Sequence, residues 1–147
     1  MNTEEIIIDE MRAEDIPEAC ALWYSIPELG VARSFDTHAR TRAYLERNPG
    51  FSTVARTGGR IVGAVMCGHD GRRGSFYSIG VIPEFRRQGI AKRMVERSLS
   101  CLREIGIATA FLLTFENNLT AQAFWRGTGW EHCPWVQYHY RDFDTER

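Results

Sequence analysis

The residues most able to do chemistry in this chain stand in "VIPEFRRQGIA", Val81 to Ala91. A strand-like run ends at a proline, two arginines and a glutamine follow, and one glycine leads into a helical pattern. A helix start has unpaired N–H groups and a partial positive charge. Gly89 carries no side chain, so backbone there is able to approach a ligand closely. Ala91 is small, and Arg86, Arg87 and Lys92 add positive charge. Arg87, Gln88, Gly89, Ile90 and Ala91 could together present a row of amide donors, the chemistry of a phosphate cradle suited to two bridged phosphates. The same junction also serves as an ordinary strand–turn–helix corner with solvated arginines. It is not a dinucleotide fingerprint, which needs three glycines, nor a Walker loop.

The elements that position this row follow from periodicity. Ile6 to Met11 reads as a strand. A helix starts in "EDIPEACALW", where Asp15 is suited to cap, Pro17 to the first turn, and Glu18 to a capping box. The segment "SIPELG" ends it, and a second helix is expected from about Asp36 to Arg47. Phe51–Arg56 and Arg60–Cys67 read as strands joined by a hairpin at "TGG". Ser75 to Ile82 is apolar on both faces and is expected to be a central strand. A helix over Gly89–Ile105 turns Ala91, Val95, Ser98, Leu102 and Ile105 to one side. Thr109 to Phe115 reads as a buried strand, Leu119 to Thr128 as a short helix capped by Asn118, and Trp130 to Phe143 as one or two more strands. The order predicts an α/β (α+β) fold with a mixed sheet, helices on both faces, and a single domain over residues 1–147.

A second block, "NNLTAQAFWRGTGW" from Asn117 to Trp130, makes the pattern specific. The first block resembles the pyrophosphate motif of the GNAT acetyltransferases, V-x-P-x-x-R/Q-x-x-G-x-G/A. The second resembles that family's N-x-x-A-x-x-x-Y-x-x-x-G-F. Both occur in the family's order, with a helix and a strand between them. "RAEDIPEACALW" is similar to the family's first helix, so the resemblance spans nearly the whole chain. It implies a GNAT-type, mostly antiparallel sheet and transfer of the acetyl group of acetyl-CoA to a primary amine by direct attack in a ternary complex. It also implies that main-chain groups of Ile79, Gly80 and Val81 meet the pantetheine arm and that residues 87–92 wrap the pyrophosphate. Asn118 then stands where relatives contact the cofactor, and the slot for the thioester is a splay between the Ser75–Ile82 and Thr109–Phe115 strands.

One position departs from the family. The tyrosine that protonates the departing thiolate in many relatives is Trp125 here, and an indole N–H is no useful acid near neutral pH. Tyr77, Tyr138 and Tyr140 are replacements by type only, and Trp125 is equally consistent with core packing. The base that deprotonates the amine is not singled out by spacing. Glu116, His69, Asp70, His132 and His139 are candidates. "GHDGRRG" favours turn chemistry for His69 and Asp70, and no zinc-type ligand spacing is present. The weak catalytic candidates are therefore Tyr77, Glu116 and Trp125.

The bulk numbers exclude several classes. The 18 basic and 19 acidic side chains give a net charge of −1, which argues against nucleic acid. The longest apolar run near the N-terminus is three residues, neither a signal peptide nor a membrane span. The widely spaced Cys20, Cys67, Cys101 and Cys133 suit free thiols and the cytoplasm. The acceptor is expected near Ser25–Asp36 and near Tyr138, where Glu28, Asp36 and Asp142 hint at a cationic amine. A homodimer and a non-catalytic CoA-binding module stay open.

Overall fold

The computed structural model describes residues 5–31 and 34–143. They form two compact units, up to Glu116 and from Asn117 onward. The first holds a five-stranded sheet: β1 (Ile7–Glu10), β2 (Thr53–Thr57), β3 (Arg60–His69), β4 (Gly74–Val81) and β5 (Ala110–Leu112). The strands lie side by side in chain order. Every neighbouring pair is antiparallel except β4 and β5. The expected mixed, mostly antiparallel sheet is therefore what forms.

Three helices belong to this unit: α1 (Ile16–Tyr24), α2 (His38–Arg47) and α3 (Ile90–Glu104). They take both faces of the sheet, and close backbone approach shows which. A side chain at Gly80 of β4 would meet Leu22, Trp23 and Ile26, while one at Gly63 of β3 would meet Met94 of α3. Gly80 thus lets the end of α1 lie against the strand. Trp23 adds a hydrogen bond from its Nε1 to the Ala64 carbonyl, 3.2 Å.

α3 is amphipathic, but its buried stripe is Ile90, Met94, Val95, Ser98 and Leu102. Ala91 is half-buried, and Ile105 is exposed because the helix ends before it. Polar contacts pin the middle of α3 to the sheet. Ser98 Oγ donates to the Phe51 carbonyl at 2.6 Å. Arg97 donates to Thr53 Oγ1 and to the Ser52 and Gly50 carbonyls. Every buried partner in this cluster is satisfied, so it fixes the helix without leaving an orphaned group.

Several expectations are corrected. Asp15 does not cap α1. Its carboxylate accepts both terminal nitrogens of Arg56, at 2.8 and 2.7 Å, and the Arg12 N–H. Glu18 likewise reaches across to the Ile61 N–H instead of closing a capping box. β5 is three half-buried residues rather than a long buried strand, and Leu113 and Phe115 are exposed. Parallel pairing stops at Phe76↔Leu112, and no strand takes up the segment beyond.

The second unit consists of α4 (Leu119–Gly127) and the segment after it. Asn118 Oδ1 accepts the Ala121 N–H at 3.2 Å, the expected cap. Residues 130–143 form no strand among the described residues. Alternating aromatics supply strand propensity, but no ladder partner takes up their backbone. All four cysteines are free thiols. Burial pushes the Cys67 thiol up to about 12, which makes it inert.

Candidate active site

The stretch from β4 into α3 contains the two positive-φ residues of the described chain that are not glycine. Ser78 has φ 57° and Arg87 φ 63°. At Ser78 the register with β3 slips, from Ala64↔Gly80 to Met66↔Tyr77. Two residues, Ser78 and Ile79, therefore stand opposite Val65. This bulge bends and twists β4. It begins two residues after Phe76, the last β4 residue paired with β5. Parallel pairing thus ends in the region where the splay is expected, and Ile79, Gly80 and Val81 lie on β4 beyond it.

The chain then turns through Pro83–Phe85 and reaches Gly89. Arg86 Nε donates to the Val81 carbonyl at 2.8 Å, which braces the end of β4. Arg87 and Gly89, the latter at φ 78°, both take the left-handed conformation, and α3 begins at Ile90. The first backbone bond of the helix runs from Arg93 N–H to the Gly89 carbonyl, 3.0 Å. Among the described residues, no acceptor pairs with the N–H groups of Arg87, Gln88, Gly89, Ile90, Ala91 or Lys92. No side chain caps the helix. A Cβ built on Gly89 meets nothing within 4 Å, so this mouth opens to free space. Arg86, Arg87, Gln88 and Lys92 are exposed around it, whereas Ile90 is buried beneath. Oriented amides and nearby cations make the mouth an anion site in chemical terms.

On the α1–α2 face of the same sheet, a cavity of about 270 Å³ adjoins the first half of β4. Its lining includes Tyr44 and Arg47 of α2, His69, Arg73, Tyr77 and Phe111. Tyr77, next to the bulge, meets the Tyr44 ring edge-on at 6.0 Å. Tyr44 Oη is buried without a hydrogen-bond partner. Burial drives this phenol well above the ordinary tyrosine value, against the opposing pull of the neighbouring Ser75 hydroxyl. The cavity left no trace in the sequence, because its walls come from three separate segments.

The remaining catalytic candidates are scattered. His69 Nδ1 accepts the Gly71 N–H at 3.0 Å, and Asp70 Oδ1 accepts the Arg72 and Arg73 N–H groups. That is turn chemistry, as their sequence context suggests. Glu116 is exposed at the end of the first unit. In the second unit, Trp125 is buried with its ring edge-on to Phe124 at 4.9 Å and to Trp130 at 5.1 Å. Tyr138 and Tyr140 are exposed there, and His132 lies near Arg126. Among the described residues no group of three or more His, Cys, Asp or Glu is arranged to hold a metal ion. No helix among them is long and apolar enough to cross a membrane.

Comparison with known proteins fits this geometry. An acetyltransferase of Pectobacterium atrosepticum is 33% identical over 115 residues, covering 73% of this chain and 74% of that protein. The solved structure of the aminoglycoside N-acetyltransferase AAC(6′)-Iy in complex with CoA superposes with a TM-score of 0.78 at 17% identity, covering 95% of this chain and 97% of that one. The PaiA N-acetyltransferase of Thermoplasma acidophilum, solved with coenzyme A, superposes with a TM-score of 0.71 at 15% identity, over 85% and 89% of the two chains. At such identities these two structures speak for the fold alone. The sequence model of the acetyltransferase (GNAT) family matches residues 15–130, across both motif blocks, and the chain therefore belongs to the GNAT acetyltransferase family.

Proposed function

We propose that the protein is an acetyl-CoA-dependent N-acetyltransferase that acts by direct attack in a ternary complex, with residues 1–147 as one catalytic domain. The observation that carries this reading is the open α3 mouth, with six consecutive unpaired N–H groups, beside a strand that has left its parallel neighbour. Amides of Arg87 to Lys92 take the pyrophosphate, with Arg86, Arg87 and Lys92 as flanking cations. Main-chain groups of Ile79, Gly80 and Val81 guide the pantetheine arm along the splay toward the bulge. Asn118 and Trp125 are assigned to the cofactor by resemblance.

The amine nitrogen attacks the acetyl carbonyl carbon, the C–S bond breaks, the thiolate of CoA leaves, and the amine gives up a proton. The thiolate is a fair leaving group, and the chain offers no tyrosine hydroxyl at position 125 to protonate it. Titration calorimetry with acetyl-CoA, followed by CoA-release assays over an amine panel, tests the reading. Saturable binding and turnover are expected, with affinity falling only moderately as salt is raised, since amide contacts are screened less than surface charge pairs. Lack of acetyl-CoA binding overturns it.

A second reading, a CoA-binding module without turnover, draws on Trp125, whose buried ring is engaged by Phe124 and Trp130. Binding without CoA release from any amine favours it. Trp125→Tyr discriminates further: if the indole is only a packing replacement, the variant keeps the fold and turns over at least as fast.

A further inference from the structure

The cavity on the α1–α2 face has the wrong charge for a polycationic acceptor. Arg47 and Arg73 both line it and both are exposed. Among the described residues neither lies within ion-pair distance of a carboxylate. Arg73 is held in place, its guanidinium 4.2 Å above the Phe111 ring. Stacking of this kind leaves the N–H edge free for an anion.

The lining contains one carboxylate, Asp70, and its charge is already engaged. Oδ1 accepts the Arg72 and Arg73 amides, and Oδ2 lies 3.8 Å from the Arg72 guanidinium. Deeper in, the Tyr44 hydroxyl is buried against Gly68 and beside Ser75. The cavity volume, about 270 Å³, falls just below the roughly 300–1,000 Å³ of small-molecule sites. It suits a molecule of amino-acid size better than an oligosaccharide. Tyr77 brings its wall to the residue before the bulge, where the splay is expected.

We infer that this cavity holds the acceptor, and that the acceptor is a small primary amine which also carries an anionic group, carboxylate or phosphate, bound by Arg47 and Arg73. The inference rests on the N-acetyltransferase reading above. It departs from the sequence-based hint of a cationic amine near Ser25–Asp36 and Tyr138, a stretch in which residues 32–33 lie outside the described residues.

The test compares matched amines by CoA release: phenylalanine with phenethylamine, O-phosphoethanolamine with ethanolamine, and kanamycin as a polycation. Acetyl-CoA affinity is measured in parallel by calorimetry. At least one anionic amine is expected to exceed its uncharged-tail partner in kcat/KM by roughly tenfold or more, the worth of a charged hydrogen bond. The pair showing the preference tells carboxylate from phosphate. Arg47→Ala and Arg73→Ala are expected to erase that preference through KM, with acetyl-CoA affinity and melting temperature unchanged. Equal or better turnover of the non-anionic amines or kanamycin overturns the inference, as does an unaltered preference in both variants. So does acetyl-CoA binding with no anionic amine acetylated. Loss of acetyl-CoA binding itself marks failure of the underlying reading instead.

Discussion

The starts of α1 and α3 face opposite demands. At α1 the backbone fills the helix mouth: the turn Ala13–Asp15 runs straight into the helix, and the Ile16 N–H donates to the Ala13 carbonyl. Asp15 stands at the first turn and is gripped by Arg56 from β2, while Glu18 reaches to the Ile61 N–H. At α3 nothing closes the mouth: Gly89 has no side chain to offer, and the amides of Arg87 to Lys92 face open space with cations around them. α2 and α4 are closed by side-chain caps, with Thr37 Oγ1 accepting the Arg40 N–H and Asn118 Oδ1 the Ala121 N–H. A side-chain cap contributes typically about 1 kcal/mol. α3 forgoes it and relies instead on its buried stripe and on the Arg97–Ser98 contacts. Under the proposed function, the helix start that the fold leaves unfinished is the one a ligand completes.

The largest effect on the closed side is expected from Asp15→Asn. It leaves Arg56, whose side chain is largely buried, without its bidentate partner. Removing one member of a buried pair costs about 3 kcal/mol, and chemical denaturation measures it. The pH dependence carries a matching sign. Burial raises the Asp15 pKa, but the Arg56 hydrogen bonds and the Arg12 amide outweigh it, and the net shift is downward. The pair's contribution is therefore full above the ordinary carboxylate range, near 4, and is lost as pH falls through the depressed value. Acid unfolding of Asp15→Asn is expected to lack this component, so the stability gap between variant and parent narrows at low pH. A gap that stays constant with pH contradicts the ion-pair assignment.

On the open side, Gly89→Asp is expected to weaken acetyl-CoA binding by roughly 100-fold, about 2.7 kcal/mol, because a carboxylate enters the anion site. Its stability cost is smaller, about 1 kcal/mol for a left-handed backbone with open space around the new side chain. Calorimetry and melting curves separate the two, and unchanged affinity misplaces the cradle. The smallest effect is the converse one. Thr37→Ala loses a cap at α2, about 1 kcal/mol, and is expected to leave acetyl-CoA affinity as it was. A loss of affinity there breaks the division between closed and open helix starts.

Local signals were readable and long-range ones were not. The proline, arginines and glycine of residues 83–89 announced the α3 mouth because strand end, turn and helix start are decided within a few residues. Asn118 and the hairpin at Gly58–Gly59 were legible for the same reason. Asp15 was misread as a cap since its partner, Arg56, lies 41 residues away. The extent of β5 was overread because apolar composition does not reveal where a parallel neighbour bends off, and the bulge at Ser78 has no marker in residue type. The cavity went unseen because it is assembled from α2, the β3–β4 turn and β5.

The most direct test of the central claim is a backbone amide NMR titration with acetyl-CoA. The N–H resonances of Gly89, Ile90 and Ala91 are expected to show the largest shifts on saturation, while those of the α1 start, Ile16 to Glu18, stay in place. Saturable binding that leaves the Gly89–Ala91 amides unmoved would contradict the assignment of the open helix mouth to the ligand.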